Sequence, residues 1–380
     1  MSSIRSLAYG AVKIAITHPY SWPDVRRGAE RITAETARAL AGRGHEVTFL
    51  TAGSTAGRDE TAGYVTIRHR RIFADAVRHE RWFAARAASA LVRMRFDVVH
   101  SFMPYDSLAA IRTRRLTGHR TVYQELGNPY RLHWAGLRDR RARRRVLRAV
   151  DVYACMSHFS LGVLEAEWGR IGDLIPGGVR LSQFTPVADR ADSPTILFSA
   201  ALTDPAKRLD LLLEALALVA RRVPDVRLWL SGPGDASALL TTTPAAVRDR
   251  TQVLPLGGAE EQGDRYARAW VTVLPTETDS FGLVLVESLA CGTPIVVTDR
   301  GAPPELVSPS VGAICAPGDP QSLADALASG LELSRQPQTA ACCRARAADF
   351  DWDDAIAPLL ERLYSDVTGA ASGSGPTPPT

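Results

Sequence analysis

The stretch VKIAITHPYSWPDVRRGAERITAETARALAGRGHEVTFLT, residues 12–51, decides the fold. Its apolar run at 12–17 reads as a strand, the spacing of isoleucine, alanine and leucine from about 30 to 43 as a helix closed by Gly44, and 46–51 as a second strand. Strand, helix and strand in that order form a βαβ opening. Moving outward, strand-like runs at 65–67, 97–101, 121–125, 152–156 and 173–175 alternate with helical stretches such as 82–95 and 138–150. After the turn-rich stretch 176–186 the rhythm restarts with a strand at 195–200, a helix at 209–223, a strand at 226–231 and the turn Gly232-Pro233-Gly234. It continues with 252–256, a short helix near 264–269, strand 271–275, helix 281–290 and strand 295–298. An α/β protein of two doubly wound parallel sheets facing a cleft is expected, with function in the strand-to-helix loops.

Composition agrees. A chain of 380 residues with 46% hydrophobic and 23% charged residues has the core of a globular protein, which excludes wholesale disorder and fibrous designs. No run of eighteen apolar residues marks a membrane span. The five cysteines are odd in number and form no CxxC pair, so neither a disulfide scaffold nor structural zinc is expected. The start MSSIRSLAYGAVKIAI lacks a secretory pattern, making a reducing cytoplasm the expected compartment. Charge is uneven: residues 1–180 carry 30 Lys and Arg against 16 Asp and Glu, net +14, and residues 181–380 carry 15 against 25, net −10. Only Lys13 and Lys207 among the 45 cations are lysine, so a lysine kept in a loop carries some information. The basic helical run 138–148 suits either a solvated face or contact with anionic headgroups or acidic acceptors, and nothing points to nucleic acid.

The chemistry concentrates in TETDSFGLVLVE, residues 276–287, which leaves a strand and enters a helix. Unpaired N–H groups at such a helix start, here Phe281, Gly282, Leu283 and Val284, suit a phosphate or sugar hydroxyl, and Gly282 permits close approach. Asp279 and Glu287, eight positions apart, are expected about two turns from each other on one helix face, gripping two ends of an extended ligand. The alternative is that Asp279 or Ser280 caps the helix and Glu287 is a solvated face residue.

The segment TETDSFGLVLVESLACGTPIVVTDRGAPPELV resembles the donor site of retaining GT-B glycosyltransferases of family four, and RRGAERITAETARALAGRGHEVTFLT, IPGGVRLSQF, LTDPAKRLDLLLEAL, SGPGD and FDWDDAIAPLLERLY resemble that family in order and spacing. The resemblance implies two Rossmann-like domains, residues 1–185 on the acceptor side and 193–349 holding a nucleotide diphosphate sugar. A helix at 350–368 would cross back to the first domain, before a disordered tail at 369–380. It implies Lys207 and Asp279 as catalytic groups, Glu287 on the ribose hydroxyls, and Ser280, Phe281, Gly282 and Leu283 as donor contacts. It further points to Gly28 and Arg27, where the family carries a glycine pair.

Several positions depart from the family pattern. Ala201 stands where the family has a second phosphate-directed arginine, and Arg208 either substitutes for it or is a salt-bridged helix residue; Asp279 stands for a glutamate, with Glu277 as a rival. The stretch 121–129 lacks the family histidine, leaving Glu125 either to orient or deprotonate an acceptor hydroxyl or to cap a turn. His18, a lone loop histidine, and Glu305, next to the donor loop by resemblance, read at least as well as structural residues. The implied activity is transfer of a hexosyl unit from a UDP- or GDP-sugar to a hydroxyl of a small molecule, glycolipid or polysaccharide. No metal and no cofactor beyond the co-substrate are called for, and peripheral contact with the inner membrane face through the basic first domain is the further expectation. Alternatives are a catalytically weakened sugar-nucleotide-binding partner subunit, or a GT-B epimerase or phosphorylase.

Overall fold

The computed structural model describes residues 10–369 apart from Pro23, Arg26, 132–136 and Ala188. The start of the chain and the tail at 370–380 lie outside the described residues. The chain divides into two compact units: Met1–Pro176 with Trp352–Thr380, and Gly177–Asp351.

The first unit opens as β1 (Lys13–Thr17), α1 (Gly28–Gly42) and β2 (Glu46–Gly53), and adds a hairpin of β3 (Gly57–Thr61) and β4 (Tyr64–Arg70). It continues through α2 (Ala76–Met94), β5 (Val98–Ser101), α3 (Pro104–Thr117), β6 (Arg120–Glu125), α4 (Leu137–Ala149), β7 (Val152–Cys155), α5 (His158–Trp168) and β8 (Asp173–Leu174). The sheet runs β3-β4-β2-β1-β5-β6-β7-β8, parallel except where β3 pairs antiparallel with β4. α2 starts earlier than its apolar period, because Asp75 caps it by accepting the Arg78 N–H at 2.8 Å ahead of a polar first turn. α3, which the apolar period does not announce, is set by Pro104 in its first turn, Asp106 accepting the Met103 N–H, and Gly118 ending it at φ +81°.

The second unit contains β9 (Thr195–Ser199), α6 (Leu209–Arg222), β10 (Arg227–Ser231), α7 (Ser237–Thr242), α8 (Ala245–Arg248), β11 (Thr251–Val253), α9 (Ala259–Arg268), β12 (Val271–Leu274), α10 (Leu283–Ala290), β13 (Ile295–Thr298), β14 (Gly312–Cys315), α11 (Pro320–Leu333) and α12 (Thr339–Ala348). Its six strands are all parallel in the order β11-β10-β9-β12-β13-β14. Ile196 and Phe198 of β9 and Val271 and Val273 of β12 pack with Leu212, Leu216 and Val219 of α6 and Leu323 and Leu327 of α11 in one apolar cluster. Each such buried side chain contributes ~1.5–3 kcal/mol. Residues before β9 belong to this unit because the Val179 N–H bonds the Phe350 carbonyl at 2.9 Å and Arg344 donates to the Leu181 and Phe184 carbonyls.

Both sheets reverse strand order beside their first strand, at β1/β5 and at β9/β12. Loops leaving two such neighbours turn to opposite faces, and the crevice between them is where open α/β sheets take ligands. In the second unit Ile196 pairs with Val271 and Phe198 with Val273, so the loops after Ser199 and Leu274 emerge side by side.

The chain returns to the first unit through a π-helical turn (Trp352–Ile356) and α13 (Ala357–Thr368). Trp352, Ile356, Leu360 and Tyr364 of its apolar stripe are buried. Glu361 pairs with Arg43 at 2.7 Å and His45 at 3.1 Å, and the Tyr364 hydroxyl meets His100 Nδ1 at 2.7 Å. No helix among the described residues is long and apolar enough to cross a membrane.

This docking makes stability depend on pH. Burial pushes His100 down to about 3, and His18, His45, His79 and His119 are lowered by the same cause. A histidine that stays neutral when folded but protonates near 6.5 when unfolded contributes stability above that pH and loses it as pH falls toward the folded value. His100→Phe should therefore remove a slope of ~1.4 kcal/mol per pH unit below about pH 6.5. Urea unfolding of wild type and variant at pH 7 and pH 5 measures it, and equal slopes would contradict the assignment.

Candidate functional site

In the second unit the loop after β9 makes a short turn, Pro205–Lys207, capped by Asp204 Oδ1 accepting the Ala206 N–H at 3.0 Å. Arg208 follows in the left-handed region at φ +54°, turning the chain into α6. The neighbouring loop after β12 is fastened to it by the buried Thr276, whose hydroxyl donates to the Ala206 carbonyl at 2.9 Å.

Across that seam Lys207 Nζ meets Asp279 Oδ2 at 2.7 Å, and Arg208 Nη1 meets Glu277 Oε1 at 2.9 Å. Arg208 also reaches Asp210. Glu277 and Asp279 thus divide the two cations between them. The Lys207 and Asp279 side chains are 24% and 20% exposed, so the pair is sheltered but open to a ligand.

Gly232 holds the third side of this region. A Cβ there would lie 1.9 Å from the Ala200 carbonyl oxygen, a backbone atom that cannot swing away. Gly232→Ala is expected to push the β9 loop out and cost ~1–3 kcal/mol, as overpacking does. Thermal unfolding reads this directly, and an unchanged midpoint would contradict it.

The helix start differs from expectation. Gly282 is left-handed at φ +96°, so α10 begins at Leu283 and not at Phe281. Asp279 consequently precedes the helix, held where its carbonyl accepts the Ala302 N–H at 3.0 Å, and does not share a helix face with Glu287. Phe281 is buried with its ring edge-on to Phe350 at 5.4 Å, leaving only its backbone for a ligand. Ser280 is buried as well. The N–H groups of Leu283 and Val284 have no acceptor within the helix by its geometry.

Glu287, on α10, is 3% exposed, so it is not a solvated face residue. It accepts the Tyr266 hydroxyl, which also meets Ser199 Oγ at 2.9 Å. Gln262 donates to that same Ser199 Oγ at 2.9 Å and accepts from Ser231 Oγ at 2.8 Å. Burial and the Glu287 charge raise the Tyr266 phenol well above its ordinary value, which keeps it a proton donor to Glu287. Sequence reasoning missed this network. Its one signal is a serine ending each of two adjacent strands, Ser199 of β9 and Ser231 of β10.

The remaining predicted residues lie in the first unit. Gly28 opens α1, and Arg27, just before it, folds back onto the buried Glu30 at 2.6 Å with its guanidinium 5.3 Å from the Tyr20 ring centroid. Glu125 ends β6 in a buried cluster. Its carboxylate pairs with Arg143 and accepts the hydroxyls of Tyr123 and Tyr153 at 3.2 and 3.0 Å. His18 is buried, with Nδ1 2.9 Å from the Tyr20 carbonyl.

The first unit's own switch point also holds acids the sequence reading passed over. Thr17 donates to the buried Asp106 at 2.9 Å, and the N–H groups of Met103 and Ser107 donate to its other oxygen. Burial outweighs these donors and pushes the Asp106 carboxyl up to about 8. Glu80, pushed up to about 7 mainly by burial, accepts the Tyr20 hydroxyl at 3.4 Å. Pro104 and Asp106 at a helix start carried the readable cue.

Residues 26–183 match the family model described as Glycosyltransferase Family 4, and residues 193–332 the one described as Glycosyl transferases group 1. A D-inositol 3-phosphate glycosyltransferase of Xylanimonas cellulosilytica is 34% identical over 218 residues, covering 51% of each chain. A phosphatidyl-myo-inositol mannosyltransferase of Mycobacterium tuberculosis is 34% identical over 212 residues, 52% of this chain and 55% of that one. The chain thus spans about half the length of the curated relatives it matches. Among solved structures, a sucrose-phosphate synthase from Thermosynechococcus elongatus superposes with TM-score 0.78 at 21% identity, covering 94% of this chain and 99% of that one. The Anabaena protein HepE in complex with UDP and glucose gives 0.74 at 18% identity, covering 93% and 100%.

Proposed function

The chain belongs to the group 1, family four glycosyltransferases and has the GT-B fold, and from that premise we propose that it transfers a hexosyl unit from a UDP- or GDP-sugar to an acceptor hydroxyl with retention of anomeric configuration. The observation that carries this reading is the Lys207–Asp279 pair beside the start of α10, at the switch point of the second sheet.

A diphosphate arriving there replaces the Asp279 carboxylate as the partner of the Lys207 ammonium. It also receives the Leu283 and Val284 N–H groups, while Arg208 reinforces the positive field. As the anomeric carbon to oxygen bond breaks, negative charge grows on the diphosphate where these fixed donors already point, which lowers the barrier without reorganisation. Asp279, released from Lys207, accepts hydroxyl hydrogens of the donor sugar, and Glu287, oriented by Tyr266, accepts those of the ribose. The acceptor proton passes to a phosphate oxygen of the donor, since the engagement of Glu125 with Arg143 favours a structural role for that carboxylate. No metal enters this scheme. The reading places the protein in the cytoplasm, its basic first unit toward the anionic inner face of the membrane.

The test is incubation with radiolabelled UDP- and GDP-hexoses and a panel of acceptors. The names of the curated relatives place inositol 3-phosphate and phosphatidylinositol first in that panel. Acceptor-dependent release of nucleoside diphosphate, with an α-linked product by NMR from an α-linked donor, is expected. Saturable donor binding without turnover on every acceptor would replace this reading by the partner-subunit one.

A further inference from the structure

We propose that the first unit carries a second ligand site, a groove between α2, α3 and α4 that binds clustered phosphate groups, borne either by anionic lipid headgroups or by a soluble phosphate ester. The groove encloses 880 Å³. Arg81 of α2, Arg112 of α3 and Arg141, Arg144, Arg145 and Arg148 of α4 line it. Small side chains, Ala85, Ala109 and Ala142 among them, leave the trough open where larger residues would close the seam.

The arrangement of charge sets this face apart. Several arginines elsewhere in the unit are matched, Arg38 with Glu35, Arg43 with Glu361, Arg114 with Asp151 and Arg143 with Glu125, but among the described residues only in this groove do six without such a partner line one concave face. Among the described residues none of the six groove arginines has a carboxylate partner at ion-pair distance. Two acids of the neighbouring segments accept hydroxyls and do not reach these guanidiniums at ion-pair distance. Asp139 accepts the hydroxyl of Tyr105 at 2.6 Å, and Glu80 accepts that of Tyr20.

Arg141, Arg144, Arg145 and Arg148 fall at i, i+3, i+4 and i+7, so four like charges share one helix face and repel one another. They are not needed to dock α4, because Val146 and Leu147 are buried in the apolar cluster on its other side. A concave, uncompensated set of guanidiniums presents paired donors that match phosphate oxygens, and binding phosphate relieves the repulsion. The groove shares no residue with the second unit's donor loops, so its failure would leave the transferase chemistry untouched, while its lipid arm rests on and deepens the membrane-facing placement proposed above.

The full chain is tested by co-sedimentation with phosphatidylglycerol/phosphatidylcholine vesicles and with phosphatidylcholine vesicles, and by titration with inositol hexakisphosphate. The variants are Arg144→Glu/Arg145→Glu, Arg112→Gln on a different helix, and Lys207→Ala. Arg70→Glu/Arg115→Glu, outside the groove, makes the same change in net charge. Wild type, Lys207→Ala and the outside pair should bind. The groove pair should lose roughly thirtyfold or more in affinity and Arg112→Gln about fivefold, with unchanged thermal unfolding. Binding to acidic vesicles alone identifies the lipid headgroup as the source, and binding to the hexakisphosphate alone the soluble ester. If neither probe binds, or if the outside pair loses as much as the groove pair, the proposal is overturned.

Discussion

Lys207→Ala lowers kcat/KM by roughly 100- to 1000-fold, about 3–4 kcal/mol of lost transition-state stabilisation, while the folded state stays within ~1 kcal/mol of wild type. The two halves of this expectation come from different physics. In the resting protein Lys207 spends its charge on Asp279 in a partly exposed pair, and pairs of that kind contribute only ~0–1 kcal/mol to stability. On the proposed reading the same ammonium would face a diphosphate acquiring charge inside a sheltered loop, where its worth is far greater. Lys207→Arg keeps the charge but changes its shape, and recovers only part of the rate. Steady-state kinetics with the best donor and acceptor, alongside urea unfolding, separate the two effects. A variant with full turnover, or one that fails by unfolding, contradicts the role given to Lys207.

The second expectation is structural. Arg143→Met costs ~3–5 kcal/mol in urea unfolding at pH 7, because it strands the Glu125 carboxylate in the core with no opposing charge. Arg143 and Glu125 are both buried, and the tyrosines that share the cluster offer hydroxyls without a compensating charge. Adding Glu125→Gln to Arg143→Met removes the stranded charge and restores most of the loss, since a buried pair replaced as a whole is often nearly neutral. The double variant also decides what Glu125 does. Turnover within about tenfold of wild type supports a structural carboxylate, whereas a loss of 100-fold or more, in the range expected for a general base, returns it to the reaction.

The alternation of strands and helices was legible because the strands of both parallel sheets are nearly continuous apolar runs, as at 12–17, 195–199 and 271–274. Elements with weaker patterning escaped. α3 is set by its caps, and β3 is a wholly exposed edge strand with no apolar face to read. At the site, Lys207 stood out because an arginine-rich chain kept a lysine, and the structure sets it against Asp279.

Three features could not be read. The spacing between Asp279 and Glu287 suggested one helix face, but the left-handed Gly282 starts the helix between them. A glycine in a sequence does not announce the sign of its φ. Glu125 looked available because its partner, Arg143, belongs to a helix whose basic run reads as solvated. The support of Glu287 by Tyr266 and Ser199 joins α10, α9 and β9 through tertiary contacts, of which the sequence shows only the serines that end β9 and β10.

The most direct measurement is a crystal structure with an intact nucleoside diphosphate sugar bound. The diphosphate is expected within hydrogen-bond distance of Lys207 Nζ and of the Leu283 N–H, with Asp279 drawn away from Lys207 onto a sugar hydroxyl. A diphosphate held elsewhere, with the Lys207–Asp279 pair still closed, would contradict the assignment of the donor site.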